Sequence, residues 1–202
     1  TNQYDTISGG YLNTITGDYA TVAGGAINVV RGIGSTIGGG LYHSVSENYG
    51  VVPGGYSNQN YGNFAVIGGG RTNTVTNDYS TIAGGSNNHG EGDYSSVAGG
   101  RHNNASAGYT SIGGGYFNSV TGDFSTVGGG ANNLCQGDSG FGTVGGGQSS
   151  TAGSFATVAG GSWNTAESDH AVVGGGSGNT VQGNVSVIAG GSLNHADAAY
   201  AS

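Results

Sequence analysis

SSVAGGRHNNASAGYTSIGGG, residues 95–115, holds one fifteen-residue unit and the start of the next: Ser96-Val97 before Gly99-Gly100, then Ser111-Ile112 before Gly114-Gly115. Outward from it in both directions the unit recurs thirteen times, roughly S-T-[VI]-x-G-G-x-x-N-x-[VA]-x-G-D-[YF]. The copies begin at Thr6, Thr21, Thr36, Val51, Val66, Thr81, Ser96, Ser111, Thr126, Thr143, Thr157, Val172 and Val187. Only two spacings depart from fifteen, seventeen after Thr126 and fourteen after Thr143. With columns counted from each start, column 2 is Val or Ile in every copy, and columns 4 and 5 are Gly-Gly from Gly9-Gly10 to Gly190-Gly191. Helical repeats need about 30 residues or more for two packed helices. A glycine pair per unit would cost a helix about 1 kcal/mol per residue. The period therefore specifies β-coils.

Composition agrees. Of 202 residues 47 are glycine and 34% are hydrophobic, which is not the make-up of an ordinary globule. A disordered chain would be poor in β-branched and aromatic residues. Here these residues are placed periodically, so the chain reads as one repeat domain over residues 1–202. Formal net charge is −8, and the only basic residues besides histidine are Arg31, Arg71 and Arg101. Nucleic acid is excluded as an expected partner, because phosphate neutralisation needs a basic surface. No apolar run reaches the length of a membrane span and no export leader is visible, so no direct membrane insertion by this segment is expected. The absence of methionine suggests a segment of something longer. A single cysteine, Cys135, forms no disulfide framework. It occupies column 10 with Ile15, Val30, Val45 and Val120, the place of a buried small hydrophobe.

Fifteen residues with two apolar stretches, separated by Gly-Gly on one side and Gly-Asp or Gly-Asn on the other, fit a coil of two short strands and two tight turns. Stacked at about 4.8 Å, thirteen such coils would give two parallel sheets and a β-roll roughly 60 Å long. Asn in column 8 recurs from Asn13 to Asn194, with His43 and Ser150 as exceptions. Amides stacked at the coil spacing can bond to one another and satisfy turn backbone groups. Asp in column 13, as in Asp78 and Asp93, reads as turn chemistry. Column 14 is aromatic in Tyr19, Tyr49, Phe64, Tyr79, Tyr94, Tyr109, Phe124 and Tyr200, with Phe141 and Phe155 in the irregular units. If it continues the strand, alternation places columns 14 and 1 on the outer face and columns 15 and 2 inside. Such an aromatic outer face is expected to pack on other copies of the chain, since so thin an interior buries little alone. A corner residue covering its own turn is the alternative.

The strings at residues 95–115 and STVGGGANN at residues 125–133 resemble the head repeats of trimeric autotransporter adhesins, the YadA-like heads. The resemblance covers the chain after Tyr4. It implies a left-handed parallel β-roll of about thirteen coils assembled as a homotrimer. It further implies an extracellular, cell-surface location at the end of a stalk, with anchoring by parts outside this chain. No heptad stalk, basic neck or anchor sequence is present here, and similar repeats also suit phage tail fibres.

No enzymatic machinery is expected, and no cofactor or metal. The five histidines, His43, His89, His102, His170 and His195, form no column across neighbouring coils, and no Ser/His/Asp grouping is marked. Calcium-binding β-rolls need an aspartate after Gly-Gly that this unit lacks. An ice-binding threonine array is spoiled by Arg31, Tyr61, His89 and Glu91 in columns 9 and 11. Recognition remains. Columns 6 and 7 vary most and read as turn tips, and Tyr42, Tyr56, Arg71, Arg101, His102, Tyr116, Phe117 and Trp163 are the expected ligand-binding residues. Exposed aromatics with arginine suit glycans or protein surfaces. The alternative is that these rings only cover neighbouring turns. The expected role is the adhesive head of a trimeric fibre attaching to a surface glycan, a matrix component or a host or prey surface protein; a spacer or a tail-fibre segment is the alternative.

Overall fold

A computed structural model describes residues 3–202; Thr1 and Asn2, which the single-domain reading included, lie outside the described residues. The chain is an all-β parallel solenoid of about thirteen turns, and no helix occurs among the described residues. It divides into two compact units, Thr1–His102 and Asn103–Ser202.

Every coil contributes two strands of two residues each, one at columns 1–2 and one at columns 9–10. In the first unit Thr21–Val22 pairs in parallel with Thr6–Ile7 and Thr36–Ile37, and Val29–Val30 with Thr14–Ile15 and Ser44–Val45. In the second unit Thr126–Val127 lies between Ser111–Ile112 and Thr143–Val144 in the same way, with Leu134–Cys135 between Ser119–Val120 and Thr151–Ala152. Each residue therefore sits on its own column in the next coil. Register is fixed because a slip of one residue would turn the apolar columns outward.

The interior is built from two apolar columns, 2 and 10, and from column 15, which holds small residues, Ala in some coils and Ser in others. Column 2 (Val22, Ile37, Ile67, Val127), column 10 (Val30, Val75, Val120, Cys135) and column 15 (Ala20, Ala65, Ala156) are completely buried. This matches the expected alternation for columns 2 and 15. Column 14 does not continue the strand. It is the left-handed residue of the turn, with φ of 56° at Tyr49, 54° at Phe64 and 58° at Tyr79. Column 14 is thus a corner position, and its rings stay half-exposed. Column 7 is also left-handed, as at Tyr42 (61°), Asn87 (54°) and Trp163 (58°). A non-glycine residue there costs about 1–2 kcal/mol. The strain is offset by a regular hydrogen bond: Tyr79 N–H donates to the Asn63 carbonyl of the preceding coil, and Asn87 N–H to that of Arg71.

The two glycines of each pair serve different ends. A Cβ on Gly85, where φ is +89°, would lie 2.2 Å from the Gly100 carbonyl oxygen and 2.6 Å from Asn88 Nδ2. One on Gly84 would meet nothing within 4 Å. Column 5 needs glycine for both its dihedral and its space.

Candidate functional site

Between the strands, each coil turns twice, and each turn is held by its own side-chain ladder. At the Gly-Gly corner the column 8 amide is buried. Asn73 Nδ2 donates to the Gly69 carbonyl at 2.9 Å and to the Gly85 carbonyl of the next coil at 3.0 Å, and its Oδ1 accepts the Asn88 N–H at 3.0 Å. In the second unit Asn118 does the same with Gly114, Gly130 and Asn133. The expected amide ladder is present. His43 replaces one rung: its N–H donates to Asn28 Oδ1, and its Nδ1 accepts the Asn58 N–H at 3.1 Å. Its buried Nε2 meets no partner of good geometry. Burial lowers the His43 pKa, against the opposing effect of the Gly55 and Asn58 backbone groups, so the ring is neutral.

At the opposite corner the column 13 side chain accepts from the preceding coil, as Asp78 Oδ1 does from the Asn63 N–H at 2.8 Å and Asp93 Oδ1 from the Asp78 N–H at 3.2 Å. Below it, the column 15 serines, which head the repeat consensus, add a third ladder whose bonding the sequence alone does not reveal. Ser80 Oγ donates to the Gly92 carbonyl, Ser35 Oγ to that of Glu47, and Ser125 Oγ accepts the Gly142 N–H. Above it the column 14 rings stack coil on coil. In the first unit Tyr49, Phe64, Tyr79 and Tyr94 follow at centroid distances of 4.8, 5.3 and 4.8 Å. In the second Tyr109, Phe124, Phe141, Phe155 and His170 continue at 4.8–5.3 Å. The two residues inserted near Gln136 to Gly142 form a local bulge, closed by the Gly140 N–H to the Gly137 carbonyl, and Phe141 keeps its place in the stack.

Cys135 is buried as expected; desolvation pushes its pKa up to about 11, and its thiol donates to the Thr126 carbonyl at 3.2 Å. Asn60 was not foreseen. It stands in apolar column 10, fully buried, where its Nδ2 donates to the Ala65 carbonyl and its Oδ1 accepts the Gly62 N–H. Among the described residues no three His, Cys, Asp or Glu side chains gather as a metal-binding group.

The expected ligand residues lie on the Gly-Gly corner, and all except the half-buried His102 are exposed. In the first unit they form a group. Column 6 residues Leu41, Tyr56, Arg71, Ser86 and Arg101 pair coil to coil by parallel bridges. The Tyr42 ring meets Tyr56 edge-on at 5.6 Å, and the Arg71 guanidinium lies 5.7 Å from the Tyr56 centroid. Arg71, Thr72, Ser86, Asn87 and Arg101 line an open cleft of about 470 Å3. His102 N–H donates to the Ser86 carbonyl. In the second unit Tyr116 and Phe117 meet edge-on at 4.5 Å. Trp163, exposed at 62%, stands three coils further along that unit and does not join them. A second open cleft, near Ile188, Asn194 and Ala196, is lined by core columns and carries no grouped chemistry.

No family model and no curated protein matches the chain.

Proposed function

We propose that the chain is the adhesive head segment of an extracellular trimeric fibre, a left-handed roll that attaches to a repetitive surface ligand and catalyses nothing. The observation that carries this reading is the contrast between a self-satisfied interior and a variable exposed ridge. The interior ladders absorb the recurring polar side chains, while Tyr42, Tyr56, Arg71, Tyr116, Phe117 and Trp163 stand exposed on a scaffold that does not require them. Aromatic side chains and arginine are the residues that dominate binding energy at interfaces. Repetition at each coil and in each copy would raise weak contacts to useful avidity.

Trimer formation is supported by the half-exposed stack of Tyr49, Phe64, Tyr79 and Tyr94 and its counterpart from Tyr109 to Phe155. Contiguous apolar surface of this kind is usually covered in a soluble protein. The test is the mass of the purified chain in solution by light scattering, together with binding of the multivalently presented protein to cells, glycans and matrix proteins. Three times the 19.6 kDa of one chain, with attachment, is expected. A trimer that attaches to nothing is a spacer, and a monomer contradicts the fibre head.

A further inference from the structure

Charge is sorted between the two corners. Every Asp and Glu of the chain falls in columns 11 to 15, around the Gly-Asp turn, whereas columns 1 to 10 carry none in any coil. Arg31 shares the acidic side, in column 11, where its guanidinium donates to Ser44 Oγ. Arg71 and Arg101 are the only other arginines, and both occupy column 6. They stand two coils apart with Ser86 between them, about 10 Å along the stack at the usual strand spacing. On a chain of net charge −8, the two cations are therefore placed together, on the corner without carboxylates.

The groups around them present donors. Beyond its position near the Tyr56 ring, the Arg71 guanidinium makes no hydrogen bond or ion pair among the described residues, so its planar fork of N–H groups is available. Asn87 Nδ2 donates to Ser86 Oγ at 2.9 Å, which leaves the Ser86 proton to donate into the cleft. Thr72 adds a hydroxyl on the cleft wall. Next to the cleft the Tyr56 and Tyr42 rings give an apolar face against which the C–H side of a sugar can lie.

We propose that the cleft between Arg71 and Arg101 binds an acidic polysaccharide, with carboxylate or sulfate groups on the two arginines, a hydroxyl or ring oxygen on Ser86, and a sugar ring against Tyr56. This rests on the adhesive reading and names its ligand class. Guanidinium pairs with carboxylate or sulfate in a two-point, charge-assisted geometry, and two such contacts at fixed spacing select a chain with regularly placed anions. Because the protein as a whole is acidic, long-range attraction is absent and binding depends on these close contacts; both arginines are exposed, so salt screens the contacts and weakens binding.

The test measures binding of the full chain, immobilised at high density, to chondroitin sulfate, to hyaluronan and to neutral dextran, at low and physiological salt. Parent protein is expected to bind one or both acidic polymers and not dextran. Binding to hyaluronan shows that carboxylate suffices, and binding to chondroitin sulfate alone assigns the anion as sulfate. The double variant Arg71→Gln/Arg101→Gln is expected to lose binding about tenfold or more, while Arg31→Gln stays within about twofold. All three positions are on the surface, and circular dichroism with a melting curve checks that each variant folds. Retained binding in the double variant, or an equal loss in Arg31→Gln, overturns the proposal. So does a parent that attaches to cells or matrix protein but to neither acidic polymer, and that result leaves adhesion standing. A parent that attaches to no surface at all removes the adhesive reading itself.

Discussion

In the coil that begins at Val66, Asn73 and Asp78 hold opposite corners. Asn73 is buried and bonds two carbonyls and one N–H across two coils, whereas Asp78 is partly exposed and accepts only from Asn63, through its N–H and its side-chain Nδ2. Each corner also places one non-glycine residue in the left-handed region, Thr72 on one side and Tyr79 on the other. On the Asp78 side that position is almost always aromatic and its rings stack. On the Asn73 side it ranges over Leu12, Ile27, Ser57, His102 and Trp163. The buried amide holds the Gly-Gly corner so completely that its surface side chains are left free to vary. The Gly-Asp corner, held by a partly exposed carboxylate ladder above the buried serines, adds stacked surface rings to the fold.

The sharpest way to break this comparison is the glycine pair. Gly85→Ala is expected to cost about 4 kcal/mol or to prevent folding, because the methyl would enter the Gly100 carbonyl. Gly84→Ala, with open space around it, is expected to stay within about 1 kcal/mol. Thermal and denaturant melts of the two variants read the difference.

Next in size is the ladder comparison. Asn73→Ala leaves the Gly69 carbonyl and the Asn88 N–H without the bonds Asn73 makes to them and the Gly85 carbonyl with only the Arg71 N–H, an expected loss of about 3 kcal/mol. Asp78→Ala at the more exposed corner is expected to cost about 1 kcal/mol. Urea midpoints of the two variants should rank accordingly, and equal losses would mean that the corners are held alike.

The stack is third. Tyr79→Ala removes ring contacts to both Phe64 and Tyr94, and about 1–2 kcal/mol is expected from their loss. Tyr42→Ala, with one edge contact on the ridge, is expected to cost less than about 1 kcal/mol. The same melts compare them.

The smallest effect is in pH. His43 has a folded pKa below its unfolded value of 6.5, so the unfolded chain takes up a proton first. Its contribution to stability is present above pH 6.5 and falls as pH drops from there towards the folded pKa. His43→Asn restores the common rung and is expected to flatten the melting temperature over that acid window, read by melts at stepped pH.

Much of the fold was legible because a fifteen-residue period with fixed β-branched and glycine columns leaves little freedom: columns 2, 10 and 15, the Asn ladder and the burial of Cys135 all follow from it. Column 14 was only half legible. Alternation would place a ring at that position on the outer strand face, but the strand is only two residues long and the ring belongs to the turn. The column 15 serines head the repeat consensus, but their bonding, like that of Asn60 in apolar column 10, was hidden because a buried polar residue shows its purpose only when its backbone partner is known. At the candidate site the variable columns marked the ridge. The Arg71 and Arg101 cleft required the coil register, which brings residues thirty apart in sequence to two rungs apart in space.

The most direct test of division of labour between the corners is surface attachment by the multivalently presented protein in two variants. A ridge variant carries Tyr56→Ser, Arg71→Gln and Arg101→Gln; a stack variant carries Phe64→Leu and Tyr79→Leu. Attachment lost in the ridge variant with its melting temperature kept, and attachment kept in the stack variant with its melting temperature lowered, is the expected result. Attachment that survives the ridge variant and disappears with the stack variant, at a temperature where both are folded, would contradict it.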